Sequence, residues 1–398
     1  MTHLFASVWA RPSLKLEHVL PRGFVRQAFA LGAILVAATA MTVAPTHTKK
    51  AFAVEIQEVT SPGGISAWLV EDHSLPLMAM QFAFEGGAAQ DGSGKAGTAS
   101  LLTALMDEGA GDLKAAEFQA KVEDLAMRMS YDASRDTFSG SFQSITANRA
   151  DSIELLRLAL TSPRFDDDAI ERMRASTLSS LASAAKNPSS VAAKVWYETA
   201  FPDHPYARPV RGTIETVQAI TAQDLRDYHQ RVFNRETLKV GVVGDITASE
   251  LGALLDTVFG GLPAKAQLAQ LDKTELKVGD NREITVTSMP IPQSVAVFGT
   301  RGVLRDDPDF VPAYVLNYIL GGGSFSSWLM QEVREKRGLA YSVYSYLAPL
   351  ENAGLLLGGV ATRNDAIGES IDLIEAQLQR MRTNGPTPEE LDGAIRHL

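Results

Sequence analysis

Apolar residues alternate with polar ones at Ile65, Ala67 and Leu69, and again from Leu77 and Met78 through Met80, Phe82 and Phe84. A period of two marks strands that bury one face. The intervening Glu71-Asp72-His73-Ser74 is turn-like, so the two runs read as a β-hairpin. A Gly-rich loop over 86–97 leads into helical spacing over 98–106 and 115–127. Strands over 130–134 and 137–145 follow, joined by a short turn. Helices are predicted over 151–160, 166–184, 190–200 and 222–232, then a β-rich run over 238–243 and a helix over 249–258. Residues 263–280 are polar and aperiodic, with little to pack, and read as an interdomain linker.

Beyond the linker the pattern starts again. Strands are predicted over 284–287 and 294–299, and a helix over 312–320. Gly321-Gly322-Gly323 breaks that helix before another over 325–337. Strands over 341–347 and 354–361 precede a helix over 370–381. Its Ser370-Ile371-Asp372-Leu373-Ile374 matches Ser152-Ile153-Glu154-Leu155-Leu156, 218 residues earlier. Tandem copies of one α+β unit account for this, with domains at 54–262 and 281–398. The second copy stops about ten residues past Pro388, which reads as a truncated chain or an unusual natural end.

The net charge of −10 and the lack of any basic, aromatic-interleaved stripe argue against nucleic acid as a partner. The absence of cysteine excludes disulfides, thiolate–zinc sites and a cysteine nucleophile. Near the N-terminus, Arg22 and Arg26 precede an apolar run over 28–44, and Ala51-Phe52-Ala53 supplies small residues where a signal peptidase reads. Residues 1–53 therefore read as a secretory signal, placing the protein in the periplasm or otherwise outside the cytoplasm. At about 17 residues the run also meets the lower limit for an uncleaved membrane anchor, the one route to membrane attachment. A buried helix of the folded domain is the third reading.

Two stretches carry a specific resemblance. Gly94-Lys95-Ala96-Gly97-Thr98-Ala99-Ser100-Leu101-Leu102-Thr103-Ala104-Leu105-Met106 resembles the active-site helix of the insulinase/pitrilysin metallopeptidases, the inverzincins. Catalytic members carry His-x-x-Glu-His there: two histidines grip zinc and the glutamate activates water. Ser100, Thr103 and Ala104 hold those places here, and the position matching the third ligand is about Ser180. Independently of that alignment, no two of the seven histidines lie three to five residues apart, so no helical His pair exists.

The run from Gly322-Gly323-Ser324-Phe325 through Arg334-Glu335-Lys336-Arg337-Gly338 to Tyr341 resembles the second signature of the same family. Members use an Arg and a Tyr seven positions apart to hold substrate over the zinc of the other half, which fits Arg334 and Tyr341. Gly322, Gly323 and Phe325 join them as substrate-binding candidates. The resemblance implies two homologous α+β domains, each an antiparallel-rich sheet with helices on one face, as in mitochondrial-processing-peptidase-like folds. It further implies the zinc-less subunit of a two-subunit peptidase, inactive alone. Zinc would sit on a homologous His-x-x-Glu-His partner, and the substrate would be an unfolded peptide. The same residues have a structural reading: cations at a helix C-terminus complement its dipole, Gly338 is a reasonable cap, and Tyr341 suits any strand.

A non-catalytic peptide-binding or assembly protein is the alternative from another class. A hydrolase using Ser100 as nucleophile has no Ser-His-Asp pattern behind it. Gly94-Lys95 fails as a P-loop, because Ala89 and Ala96 replace a required Gly and Ser/Thr. His204 reads as a loop histidine, and His73 beside Asp72 as turn polarity.

Overall fold

The structure is a computed structural model and describes residues 55–276 and 284–398. The segment read as a secretory signal and the end of the linker lie outside the described residues. The first half opens with β1 (Gln57–Thr60), β2 (Ser66–Glu71) and β3 (Leu77–Glu85), then helix α1 (Thr98–Thr103). A small pair, β4 (Gly109–Ala110) and β5 (Leu113–Lys114), precedes α2 (Ala115–Asp124). The hairpin β6 (Arg128–Ala133) and β7 (Thr137–Ile145) leads to α3 (Arg149–Thr161), α4 (Asp167–Ala184) and α5 (Pro188–Ala200). Then come α6 (Ile214–Ala219), α7 (Ala222–Val232), β8 (Lys239–Gly244) and α8 (Ala248–Phe259). Thr221 and Thr247 cap the last two helices, each bonding the backbone N–H three residues on.

The six-stranded sheet runs β1-β2-β8-β3-β7-β6. This corrects the hairpin expected at 65–84: β2 and β3 do not pair, because β8 lies between them. It runs parallel to β2 and antiparallel to β3. The reason lies at the sheet end. The Asp72 and Asp245 amides bond to Gly244 and Leu77 carbonyls, and His73 bonds to Asp245, so the turn spans a third strand. Alternation then decides which face is buried. Met78, Met80, Phe82 and Phe84 point to the helices with Phe138, Phe142, Val240 and Val242. Each such side chain contributes about 1.5–3 kcal/mol on burial.

The second half holds β9 (Gln293–Arg301), α9 (Phe310–Asn317), β10 (Ala340–Pro349), β11 (Gly354–Arg363), α10 (Ile367–Asn384) and α11 (Pro388–His397). Its sheet runs β10-β11-β9, all antiparallel, with α10 against the Phe298, Val343 and Val360 face. The likeness to β3, β7 and β6 extends to side chains. A Cβ on Gly140 would lie 2.2 Å from the Phe82 ring, and one on Gly358 would lie 2.2 Å from the Phe298 ring. Both halves fill a missing side chain with a phenylalanine from the neighbouring strand.

Two further expectations are corrected. Residues 284–287 form no strand; Ile284 and Val286 are 54% and 83% exposed. The described part of the linker, 263–276, does pack. Ala269 exchanges two hydrogen bonds with the Gln90 side chain, the Thr274 amide bonds to Asn352, and Leu276 is buried beside Phe201 and Leu355. Its leucines and backbone groups have partners that local periodicity does not reveal.

The β10–β11 turn docks on the β6–β7 turn. Asp136 accepts from the Tyr206 hydroxyl at 2.6 Å and from the Glu351 amide at 3.0 Å. Tyr206 in turn accepts from the Asn352 amide at 3.1 Å. The Arg135 guanidinium lies 3.3 Å over the Tyr197 ring.

Candidate functional site

Arg334 and Tyr341 are brought together by a helix end and a bulge. The wide-turned helix Met330–Glu335 closes on Gly338, whose left-handed φ of 63° suits glycine. The Gly338 amide bonds to the Arg334 carbonyl at 2.7 Å, the 5→1 bond of an αL cap, and the Leu339 amide bonds to Val333 at 2.9 Å. Gly338 is therefore the cap its structural reading anticipated. Of the cations on this turn, Lys336 and Arg337 are both tied to Glu332, whose carboxyl they hold below the usual range. Arg334 has only a looser Glu335 contact at 3.5 Å. Its guanidinium instead lies 4.6 Å from the Phe325 ring and 4.8 Å from the Tyr341 ring.

Tyr341 does not sit in the strand's regular alternation. Ala340 pairs with Thr362 and Ser342 with Ala361, so Tyr341 is the extra residue of a β-bulge. A bulge re-aims the side chain it carries. Tyr341 is 82% exposed. With Arg334, Glu335, Arg363 and residues 338–340 it lines an open cleft of about 450 Å³.

The Gly-rich turn that precedes Phe325 packs against α9 and β10. A Cβ on Gly321 would fall 2.4 Å from the Ser345 hydroxyl of β10, and Gly322 lies against Asn317. Gly323 bonds through its amide to Tyr318 at 2.7 Å. Buried Asn317 and Ser345 clamp the turn to β10: Ser345 Oγ donates to Asn317 Oδ1 at 2.7 Å, and Asn317 Nδ2 donates to the Ser345 carbonyl at 3.3 Å. Sequence reasoning missed this pair; an asparagine ending an otherwise apolar helix was the available signal.

In the first half, the positions matching the inverted zinc motif carry no ligand set. Ser100 and Thr103 lie on α1, where the Thr103 hydroxyl donates to the Ser100 carbonyl at 2.7 Å. Ala104 offers no polar atom. Ser180, on α4, accepts from the Arg211 guanidinium at 3.3 Å, so a cation already occupies the hydroxyl matching the third ligand. Neutral hydroxyls engaged in this way do not fit zinc. Among the described residues no three His, Cys, Asp or Glu side chains gather to hold a metal.

The remaining candidates resolve structurally. His73 bonds to Asp245 at 2.7 Å rather than to Asp72, and that bond raises its pKa. His204 accepts from the Tyr206 amide at 3.2 Å. Beneath α1, buried Asp91 accepts from the Gly97 and Ala99 amides at 2.7 and 2.9 Å, and burial pushes its carboxyl up to about 7.

Comparison with known proteins agrees with this geometry. Residues 69–214 match the insulinase (peptidase family M16) model, and residues 219–398 match the peptidase M16 inactive domain. A Helicobacter pylori protein named non-peptidase homolog YmxG is 26% identical over 82% of this chain and 75% of its own. An uncharacterized zinc protease of Mycobacterium leprae is 27% identical over 86% of this chain and 77% of its own. The crystal structure of a peptidase M16 inactive domain from Pseudomonas fluorescens superposes with a TM-score of 0.77 at 28% identity, covering 86% of this chain and 83% of that one. With two family models meeting end to end across both halves, and Ser100, Ala104 and Ser180 where the zinc ligands of catalytic members stand, this chain belongs to the insulinase (M16) peptidase family as an inactive-type member.

Proposed function

We propose that this chain is the non-zinc subunit of an exported, heterodimeric M16 peptidase, gripping an extended peptide while a His-x-x-Glu-His partner supplies the metal. One observation carries the reading: Arg334 is stacked between Phe325 and Tyr341 at an open cleft, while its neighbouring cations Lys336 and Arg337 are both tied to Glu332. The planar guanidinium, held by ring faces, presents its edge to a peptide carbonyl or terminal carboxylate. The Tyr341 hydroxyl, aimed outward by the bulge, donates to the oxyanion formed at the scissile carbonyl. Gly322 and Gly323 leave room for main chain to pass Phe325.

The test is reconstitution. The chain and a His-x-x-Glu-His partner are purified separately, and zinc content and peptide cleavage are measured for each alone and for the mixture. Activity only in the mixture, with zinc on the partner, supports the reading. Stoichiometric zinc on this chain with chelator-sensitive proteolysis overturns it.

The Helicobacter relative's name, non-peptidase homolog, favours a second reading: a peptide-binding or assembly protein with no part in cleavage. That reading requires Tyr341→Phe to leave cleavage by the reconstituted pair unchanged.

A further inference from the structure

The cleft beside Tyr341 carries a second guanidinium that the Arg334–Tyr341 pair does not account for. Arg363, the last residue of β11, lines it together with Arg334, Glu335, Tyr341 and residues 338–340. The bulge brings it there. With Ser342 opposite Ala361, a regular ladder would set Ala340 opposite Arg363, but the register shift sets Ala340 opposite Thr362. Arg363 is thereby moved one place along, level with the capping turn at Leu339, whose carbonyl accepts from the Thr362 hydroxyl. One irregularity in β10 therefore re-aims Tyr341 and draws in Arg363.

The charges of the cleft do not cancel. Lys336 and Arg337 are tied to Glu332 and stand outside the lining. Within it, two guanidiniums face one carboxylate, Glu335, which meets Arg334 only at 3.5 Å. Asp365 holds Arg363 at 3.2 Å, but the two side chains are 74% and 71% exposed, and water screens such a pair. Much of the negative pole of the helix end is already answered. The carbonyls of Gln331, Glu332, Val333 and Arg334 accept, in turn, from the Lys336 amide, the Arg337 guanidinium, and the Leu339 and Gly338 amides. The cleft thus offers a ligand two guanidinium forks and the Tyr341 hydroxyl, against one carboxylate.

We propose that Arg363 makes this cleft a site for a carboxylate on the bound peptide, supplied by its C-terminus or by an acidic side chain and shared between Arg334 and Arg363. A main-chain carbonyl is neutral and is served by one fork, whereas a second fork and an excess of positive charge suit a full negative charge spread over two oxygens. The inference rests on the reading of Arg334 as a peptide-gripping residue: Arg334 holds peptide, and Arg363 sets which peptide. Asp365 is the contact that the ligand displaces.

The test is fluorescence anisotropy of the full chain with three rhodamine-labelled decapeptides of one uncharged sequence. One is amidated at the C-terminus, one has a free C-terminus, and one is amidated with a central glutamate. A carboxylate should tighten binding about tenfold over the amidated peptide, and the peptide that gains tells the C-terminus from the side chain. Arg363→Gln should bring that ratio to within about twofold, since it removes the charge-assisted bonds. Asp365→Asn, which removes the competing carboxylate, should raise it. Thermal melts check that both variants are folded. Equal binding of all three peptides, or a ratio that neither variant changes, overturns the proposal and leaves the peptide grip standing. If none of the three peptides binds, the grip itself fails and the proposal falls with it.

Discussion

The Arg334 guanidinium lies 4.8 Å from the centre of the Tyr341 ring, close enough for the aromatic face to hold the cation. Lysine keeps the charge but loses the planar fork and most of the stacking. Arg334→Lys is therefore expected to weaken peptide binding 10- to 100-fold. Exposed cation–π contacts are worth only about 0.5–1 kcal/mol each, so the melting temperature should fall by no more than a few degrees. Fluorescence anisotropy with a labelled peptide, beside a thermal melt, separates the two effects. A large loss of stability with unchanged binding would make Arg334 a structural residue.

Tyr341 is predicted to act through its hydroxyl alone. Tyr341→Phe keeps the ring beside Arg334 and removes one donor, so turnover by the reconstituted pair should drop by about 10²–10³ with little change in KM. Because the side chain is 82% exposed, stability should be unaffected. Steady-state kinetics on a fluorogenic peptide checks the split.

Much of the fold was legible because it is periodic. The one-face alternation of Met78 to Phe84 and the Arg334–Tyr341 spacing both survive into the structure. Strand order did not show, since nothing local to Glu71–Ser74 says that β8 will arrive from far along the chain to separate β2 from β3. The 284–287 strand failed for a related reason: alternation states a capacity to pair, and pairing needs a neighbour. At the site, the bulge at Tyr341 and the Asn317–Ser345 clamp depend on cross-strand register, which one segment does not encode. The packed linker was misread because its contacts, Gln90 with Ala269 and Leu276 with Phe201, join distant residues.

The junction between the halves gives a stability prediction. The Tyr206 hydroxyl donates to Asp136 and accepts from Asn352, and its surroundings raise its pKa beyond the ordinary tyrosine range. Tyr206→Phe leaves a carboxylate oxygen and an amide without that partner, at a cost of about 1–3 kcal/mol. Exchange of amides in the 349–354 turn should quicken, while strands remote from the junction stay protected. Hydrogen exchange resolved by segment reads this directly.

Two buried groups should oppose each other in the pH dependence of stability. Burial lowers His229 to about 4, with its ring against Phe233 and its Nε2 bonded to the Leu160 carbonyl. The unfolded chain takes up that proton near 6.5, so this contribution is complete above 6.5 and is lost as pH falls towards 4. Asp91, raised to about 7 by burial, has the opposite sign: its contribution is complete below the unfolded carboxylate value and is lost as pH rises towards 7. His229→Gln should therefore flatten the acid-side loss, and Asp91→Asn the neutral-side loss. Denaturant melts at pH 4.5, 5.5 and 6.5 on both variants test the assignment; parallel curves for all three proteins would refute it.

The paired glycines give a sharper comparison, because the two halves pose one steric problem in different surroundings. An alanine at Gly140 or Gly358 places a methyl group 2.2 Å from a phenylalanine ring, so the ring must move. Phe82 has nowhere to go: it is 2% exposed and packed edge-on against Phe84, Tyr131 and Phe259. Phe298 is only partly buried. Overpacking of a tight core costs about 1–3 kcal/mol, and a ring free to swing recovers part of that. Gly140→Ala should therefore destabilise the protein more than Gly358→Ala. Thermal melts of both variants measure the difference. Equal losses would mean that Phe298 is as confined as Phe82.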